Sequence, residues 1–236
     1  MPENRGLTYV LKQGLLRLLQ EKERNNWELD IYYCRGENIP ITVYLPRGRL
    51  FKEYFAYKQP VIGVTGEDLF LELQRDEEDD KKPEILEKLN LKRTGPYKNF
   101  AFGLPTLCLL GKGGLSPKEY AWRKGSYYPK DIPELKGKTI AIPEYYPRLI
   151  MQQLEEFTSL EGVRWIILDG KVDVTAAAQG IEYVVDIIGT GTTCERVGLG
   201  VIASLGASDG VLIGNPAAQK LWKDRKQNFI YNQMEE

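Results

Sequence analysis

The strongest constraint on the fold is the alternation of short apolar runs with amphipathic segments. The runs LTYVL (7–11), LDIYYC (29–34), VIGV (61–64), TLCLLG (106–111), KTIAIP (138–143), RWIILD (164–169), YVVDIIG (183–189) and GVLIGN (210–215) have the length and the β-branched or aromatic character of strands. Between them, GLLRLLQEKER, GEDLFLELQ and PRLIMQQLEEFTSL place apolar residues three and four apart, the repeat of a helix with one buried face. This pattern predicts an α/β protein whose sheets are covered by helices. Three stretches break it and read as surface insertions: 44–59, mixing basic and aromatic residues; 74–99, charged throughout; and 112–138, rich in Gly, Pro and Lys. The aromatic residues of the first and third suggest that one of them covers a site or a partner.

Composition narrows the chemistry. The chain has no histidine, which excludes Ser-His-Asp and Cys-His nucleophile systems, histidine zinc motifs and any imidazole base. What remains is carboxylates, amines, guanidinium groups, hydroxyls and backbone amides, a set suited to positioning phosphates electrostatically. A net charge of -1 gives no reason to expect nucleic acid or an anionic membrane as partner. Cys34, Cys108 and Cys194 are odd in number and far apart, so buried thiols are expected in place of a disulfide framework or zinc knuckle. No signal-like start and no run of membrane-spanning length is found, and the expected compartment is the cytoplasm.

The segment VVDIIGTGTT, 184–193, carries the sharpest signal. Asp186 interrupts an apolar strand, where a carboxylate is costly unless it lies at the open end and binds something. Gly189 and Gly191 permit backbone approaches that a Cβ blocks, and Thr190, Thr192 and Thr193 add hydroxyl donors to a nest of amides. Such a loop holds a phosphate by neutral donors, with the acid placed for sugar hydroxyls; a strand-to-loop turn with capping threonines is the alternative on this segment alone. It lacks the third glycine of a dinucleotide fingerprint and the Gly-Lys-Thr of a P-loop.

The segment resembles the phosphoribosyl-pyrophosphate loop of the ATP phosphoribosyltransferase family, the first enzyme of histidine biosynthesis. IGVTGEDLFLE (62–72), CRGENIP (34–40), KTIAIPEYYPRL (138–149), LDGKVDVTAAAQGIEYVVD (168–186) and LGASDGVLIGN (205–215) resemble further segments of that family in the same order. The chain departs from the family in having Asp173 for a helix glutamate, Gln179 followed by Gly180 at a glycine position, and Cys194 for a leucine. The family's amino-terminal Pro-Lys-Gly-Arg motif has two candidates, VLKQGLLRLL (10–19) and YLPRGRLFKE (44–53).

The resemblance implies two α/β lobes of the type II periplasmic-binding-protein kind with a cleft between them. One lobe is expected to comprise 1–105 plus 206–236, the other 106–205. The reaction implied is transfer of phosphoribosyl from phosphoribosyl pyrophosphate to N1 of ATP. Residues Gly189, Thr190, Gly191, Thr192 and Thr193 would hold the 5-phosphate, and Asp186 with Asp173 the ribose hydroxyls. Arg35 and Lys12 would face the pyrophosphate as catalytic cations, while Thr65, Gly66, Asp68, Glu144 and Tyr145 would line the nucleotide cleft. Mg²⁺ is expected to arrive with phosphoribosyl pyrophosphate, without a dedicated set of protein ligands. About 20 residues follow LIGN, so the resemblance implies a short-form catalytic subunit, oligomeric and paired with a regulatory subunit resembling histidyl-tRNA synthetase. The competing function is a non-catalytic two-lobed binding or regulatory paralogue that keeps the anion loop.

Overall fold

The structure is a computed structural model and describes residues 18–19, 28–34, 38–44, 60–75, 82–88 and 99–220. In chain order its elements are β1 (Leu18–Leu19), β2 (Glu28–Cys34), β3 (Asn38–Tyr44), β4 (Ile62–Gly66), α1 (Glu67–Gln74), β5 (Glu84–Lys88), β6 (Thr106–Gly111), α2 (Pro117–Lys124), β7 (Thr139–Pro143), α3 (Pro147–Glu155), β8 (Arg164–Leu168), α4 (Val172–Ala178), β9 (Tyr183–Ile188), α5 (Thr192–Arg196), β10 (Gly200–Ala207) and β11 (Gly210–Gly214). The chain divides into two compact units, Met1–Thr65 with Asp80–Glu87 and Leu212–Glu236, and Gly66–Asp79 with Lys88–Val211.

The first unit contains an antiparallel sheet of order β1-β2-β3. Strands β2 and β3 pair from Glu28↔Tyr44 to Cys34↔Asn38. Leu18 and Leu19 pair with Tyr32 and Ile31 as a strand, where the spacing of GLLRLLQEKER predicts a helix. Two adjacent leucines satisfy either repeat, and ladder pairing overrides local preference. A second sheet has the order β4-β11-β5. Strand β5, EILEK, lies within the charged 74–99 stretch, so part of that expected insertion is a sheet strand.

The second unit is built on a five-stranded sheet of order β10-β6-β9-β7-β8. Strand β7 runs parallel to β8 and β9, while β6 runs antiparallel to β9 and β10. Successive side chains on a strand face opposite ways, and here both faces are buried. Cys108, Leu110, Ala141 and Val184 enter one core with Tyr120 of α2 and Val172 and Ala176 of α4. Leu107, Leu109, Ile140, Ile142 and Val185 enter the other, against Leu149, Ile150 and Leu154 of α3. This two-sided burial explains why β6 and β7 read as unbroken apolar runs and β9 as one broken only at Asp186. Among the described residues no helix is long and apolar enough to cross a membrane.

The third expected insertion contains a packed element. Ser116 caps α2 by accepting the Glu119 N–H at 3.3 Å, and Pro117 occupies the first helical turn. Tyr120 is fully buried; its hydroxyl donates to the Tyr128 carbonyl at 2.9 Å and accepts the Ser204 N–H at 3.3 Å. The Ser204 hydroxyl accepts the Tyr128 N–H at 3.0 Å, and bridges Leu115↔Val201 and Tyr128↔Ser204 tie the segment to β10. Trp122 and Tyr127 stay exposed, as expected for a surface segment, but the backbone beneath them is docked.

Candidate functional site

The parallel arrangement of β7, β8 and β9 places their C-terminal ends at one edge of the second unit's sheet, the edge where α/β proteins gather ligand-binding loops. Glu144 and Tyr145 follow β7, Asp169 follows β8, and Gly189 follows β9. The Tyr145 hydroxyl donates to Asp169 Oδ1 at 2.8 Å, linking two of these ends. Glu144 holds one carboxylate oxygen, Oε1, buried without a hydrogen-bond partner among the described residues. A buried acceptor left unpaired is costly unless a donor reaches it.

Asp186 lies within β9, paired in register with Cys108. Its Oδ1 accepts the Ile187 N–H at 2.7 Å, and the backbone N–H of Asp173 lies near enough to favour the ionised carboxylate. Burial pushes the Asp186 carboxyl up to about 7, and the neighbouring Asp173 charge adds to the rise against those two donors. Asp173 sits buried in the first turn of α4, its Oδ1 accepting the Val174 N–H at 2.8 Å. The two sequence-predicted sugar acids are therefore neighbours.

The loop between β9 and α5 turns at Gly191, whose φ of 81° is left-handed and favours glycine. A Cβ there would be driven into the ring of Pro117. At Gly189 a Cβ would stand 3.1 Å from the Phe100 ring, and the Gly189 carbonyl accepts the Ala101 N–H at 3.0 Å. Both glycines permit close approach of the loop to neighbouring segments. The Thr190 and Thr192 hydroxyls are 3.1 Å apart, and Thr190, Thr192 and Thr193 are exposed. Beneath them the Cys194 thiol is buried and donates to the Gly191 carbonyl at 3.0 Å. A cavity of about 520 Å³ is lined by Thr190, Thr192, Asn99, Phe100, Ala101 and Lys118.

Asp68 has a different setting, in the first turn of α1. Its carboxylate accepts the Ser208 hydroxyl, and its backbone N–H donates to Ser208 Oγ at 3.3 Å. Burial raises the Asp68 carboxyl, partly offset by the Ser208 bond. Gly66 is the extended residue preceding α1, and Thr65 ends the first unit's segment of β4. Tyr146 is buried in the core: burial pushes its hydroxyl well up, and the Asp68 and Asp186 charges push the same way. Helix α1 is fixed to α3 through Glu72, which accepts the Arg148 and Leu149 N–H groups at 3.2 and 2.7 Å.

Within the second unit the structure thus brings together Asp186, Asp173 and residues 189–193, with Glu144 and Tyr145 at the same sheet edge. Lys12 and Arg35 lie outside the described residues. Lys118, Asn99 and Phe100 escape sequence reasoning, since they come from segments read as insertion or connection. The signal for α2 was present as Ser116-Pro117-Lys118-Glu119, a helix start with Ser at the cap and Glu at the third helical position.

The family model of ATP phosphoribosyltransferase matches residues 51–236. An ATP phosphoribosyltransferase from Clostridium botulinum (strain 657 / Type Ba4) is 24% identical over 202 residues, covering 86% of this chain and 79% of the relative. Among solved structures, the ATP phosphoribosyl transferase (HisG:HisZ) complex from Thermotoga maritima matches with a TM-score of 0.56 at 18% identity, covering 97% of this chain and 90% of that one. At that identity the structural likeness establishes the shared α/β fold.

Proposed function

The chain belongs to the ATP phosphoribosyltransferase family, and on that premise we propose that the loop 189–193 holds the 5-phosphate of phosphoribosyl pyrophosphate, with Asp186 and Asp173 on the ribose hydroxyls. The protein is a pentosyltransferase of histidine biosynthesis that moves phosphoribosyl to ATP. The observation carrying the site assignment is the juxtaposition of the two acids with a threonine-lined loop whose glycines admit close backbone approach.

In this reaction the N1 lone pair of adenine forms a bond to ribose C1 as the bond from C1 to the pyrophosphate oxygen breaks. The electron pair leaves with pyrophosphate. No histidine is needed, because the attacking nitrogen already carries its lone pair. The protein's work is orientation and charge stabilisation. The threonine hydroxyls donate to phosphate oxygens, and the Asp186 carboxylate accepts from sugar hydroxyls. Glu144, whose buried Oε1 has no hydrogen-bond partner among the described residues, is assigned a donor on the nucleotide, beside Tyr145. By the family resemblance Thr65, Gly66 and Asp68 are assigned to the nucleotide, and Arg35 and Lys12 to the pyrophosphate.

Mg²⁺ fits this donor set as a substrate-borne ion. Among the described residues no group of three or more acidic or thiol side chains forms a metal cage, and the Asp173 and Asp186 carboxylates are neighbours beside the loop. One or two carboxylates with phosphate oxygens are a usual magnesium environment. The ion would supply neutralisation of the leaving pyrophosphate. Residues 106–205 are taken as the lobe carrying the loop. The working state is an oligomer in the cytoplasm, joined by a regulatory subunit resembling histidyl-tRNA synthetase.

The test is binding of Mg²⁺–phosphoribosyl pyrophosphate to the wild type and to Asp186→Ala and Thr192→Ala. Both substitutions should weaken binding about tenfold or more, by loss of hydrogen bonds to charged or sugar groups. Unchanged affinity in both would show that the loop is not the site.

A further inference from the structure

The loop 189–193 offers only neutral donors, while a 5-phosphate carries up to two negative charges. The cavity beside it contains one charged side chain among the described lining residues, Lys118. That lysine comes from α2, inside the stretch 112–138 that reads from the sequence as an insertion. Its neighbour Pro117 packs directly on Gly191 at the turn of the loop. The helix is held by Ser116 at its cap, by buried Tyr120, and by the Tyr120–Ser204–Tyr128 bonds to β10. Lys118 is therefore carried on a fixed element touching the loop.

The other cations of α2 are already paired. Arg123 binds Glu119 at 2.6 Å, and Lys124 binds Asp131 at 3.2 Å. Lys118 has no carboxylate partner among the described residues, and it faces a cavity whose remaining polar lining is Asn99, Thr190 and Thr192. An ammonium beside hydroxyl donors, with no carboxylate among the described residues lining the same space, is a phosphate environment.

Resting on the assignment of the loop to the 5-phosphate, we propose that Lys118 is a substrate-binding residue that closes over that phosphate and supplies the positive charge the loop lacks. The segment 112–138 is then part of the phosphoribosyl site, and Lys118 sets its selectivity for a phosphorylated ribose.

Calorimetric titration with ribose 5-phosphate, and separately with Mg²⁺–phosphoribosyl pyrophosphate, tests this on full-length wild type, Lys118→Gln, Lys118→Arg and Thr192→Ala. Lys118→Gln should weaken both ligands by the same factor, about tenfold, the range for one charge-assisted contact. Lys118→Arg should recover most of the loss, and ATP binding and the melting temperature should not move. Ribose 5-phosphate affinity should also become less sensitive to salt in Lys118→Gln, because one exposed ionic contact is gone. A wild-type affinity in Lys118→Gln beside a weakened Thr192→Ala overturns the role of Lys118 and leaves the loop assignment standing. No weakening in either variant overturns both. A loss confined to phosphoribosyl pyrophosphate would put the lysine on the pyrophosphate and overturn the inference as well.

Discussion

Replacing Asp186 by Asn should stabilise the protein at alkaline pH while weakening its substrate binding. In the folded protein the Asp186 carboxyl is pushed up to about 7 from an ordinary value of 3.8, chiefly by burial. Between those two values the folded state keeps a proton that the unfolded chain has released. Folding stability must then fall as pH rises through that window, by about 1.4 kcal/mol per pH unit, and level off above about pH 7. From pH 5 to pH 7 the ceiling is about 3 kcal/mol; the side chain is partly exposed, and solvent screening reduces the expected figure to about 2 kcal/mol. Asparagine has the same shape, and its Oδ1 can still accept the Ile187 N–H, but it carries no charge to desolvate. Urea unfolding at pH 5, 7 and 8 measures the effect directly. The advantage of Asp186→Asn over wild type should grow by about 2 kcal/mol from pH 5 to pH 8. Parallel pH curves for the two proteins would refute the claim that a buried, charge-destabilised carboxyl sits at this position. In the wild type, phosphoribosyl pyrophosphate should bind about tenfold tighter at pH 8 than at pH 6, as Asp186 ionises, and that increment should vanish in the variant.

Gly191→Ala combines a left-handed backbone with a collision against Pro117; it should cost about 2 kcal/mol or more in urea unfolding and displace α2 from the loop. Tyr120→Phe removes the hydroxyl that joins the Tyr128 carbonyl to the buried Ser204 N–H. A loss of about 1–2 kcal/mol is expected, with faster amide exchange at Ser204 as the local readout. Glu72→Ala strips the acceptor from the first turn of α3 and should lower stability by about 1 kcal/mol.

What was legible in the sequence followed from burial. Strands β6, β7 and β9 are covered on both faces, so they announce themselves as apolar runs, broken in β9 only by Asp186, within a residue or so of their observed ends. Helices α1 and α3 each carry one apolar stripe and were equally plain. Strand β10, GVIASLGA, was missed because its glycines and serine dilute the apolar signal; its Ser204 is buried only because Tyr120 and Tyr128 reach it from another segment. Strand β5 hid in a charged stretch, since a ladder accepts EILEK as readily as an apolar run once a neighbour supplies the hydrogen bonds. At the candidate site, local composition marked Asp186 and the glycine-threonine loop but left a capped turn open, and the ordered resemblance of the surrounding segments favoured the phosphate loop. Lys118 did not stand out, because nothing in SPKEYAWRK shows that tertiary packing brings Pro117 onto Gly191.

The measurement bearing most directly on the function is product formation by the full-length chain with ATP, phosphoribosyl pyrophosphate, Mg²⁺ and pyrophosphatase, with and without a short-form regulatory subunit. Phosphoribosyl-ATP should accumulate in the wild type and fall sharply in Thr192→Ala. Binding of phosphoribosyl pyrophosphate without any phosphoribosyl-ATP, in either the presence or absence of the regulatory subunit, would contradict catalysis and make the chain a binding protein on a transferase fold.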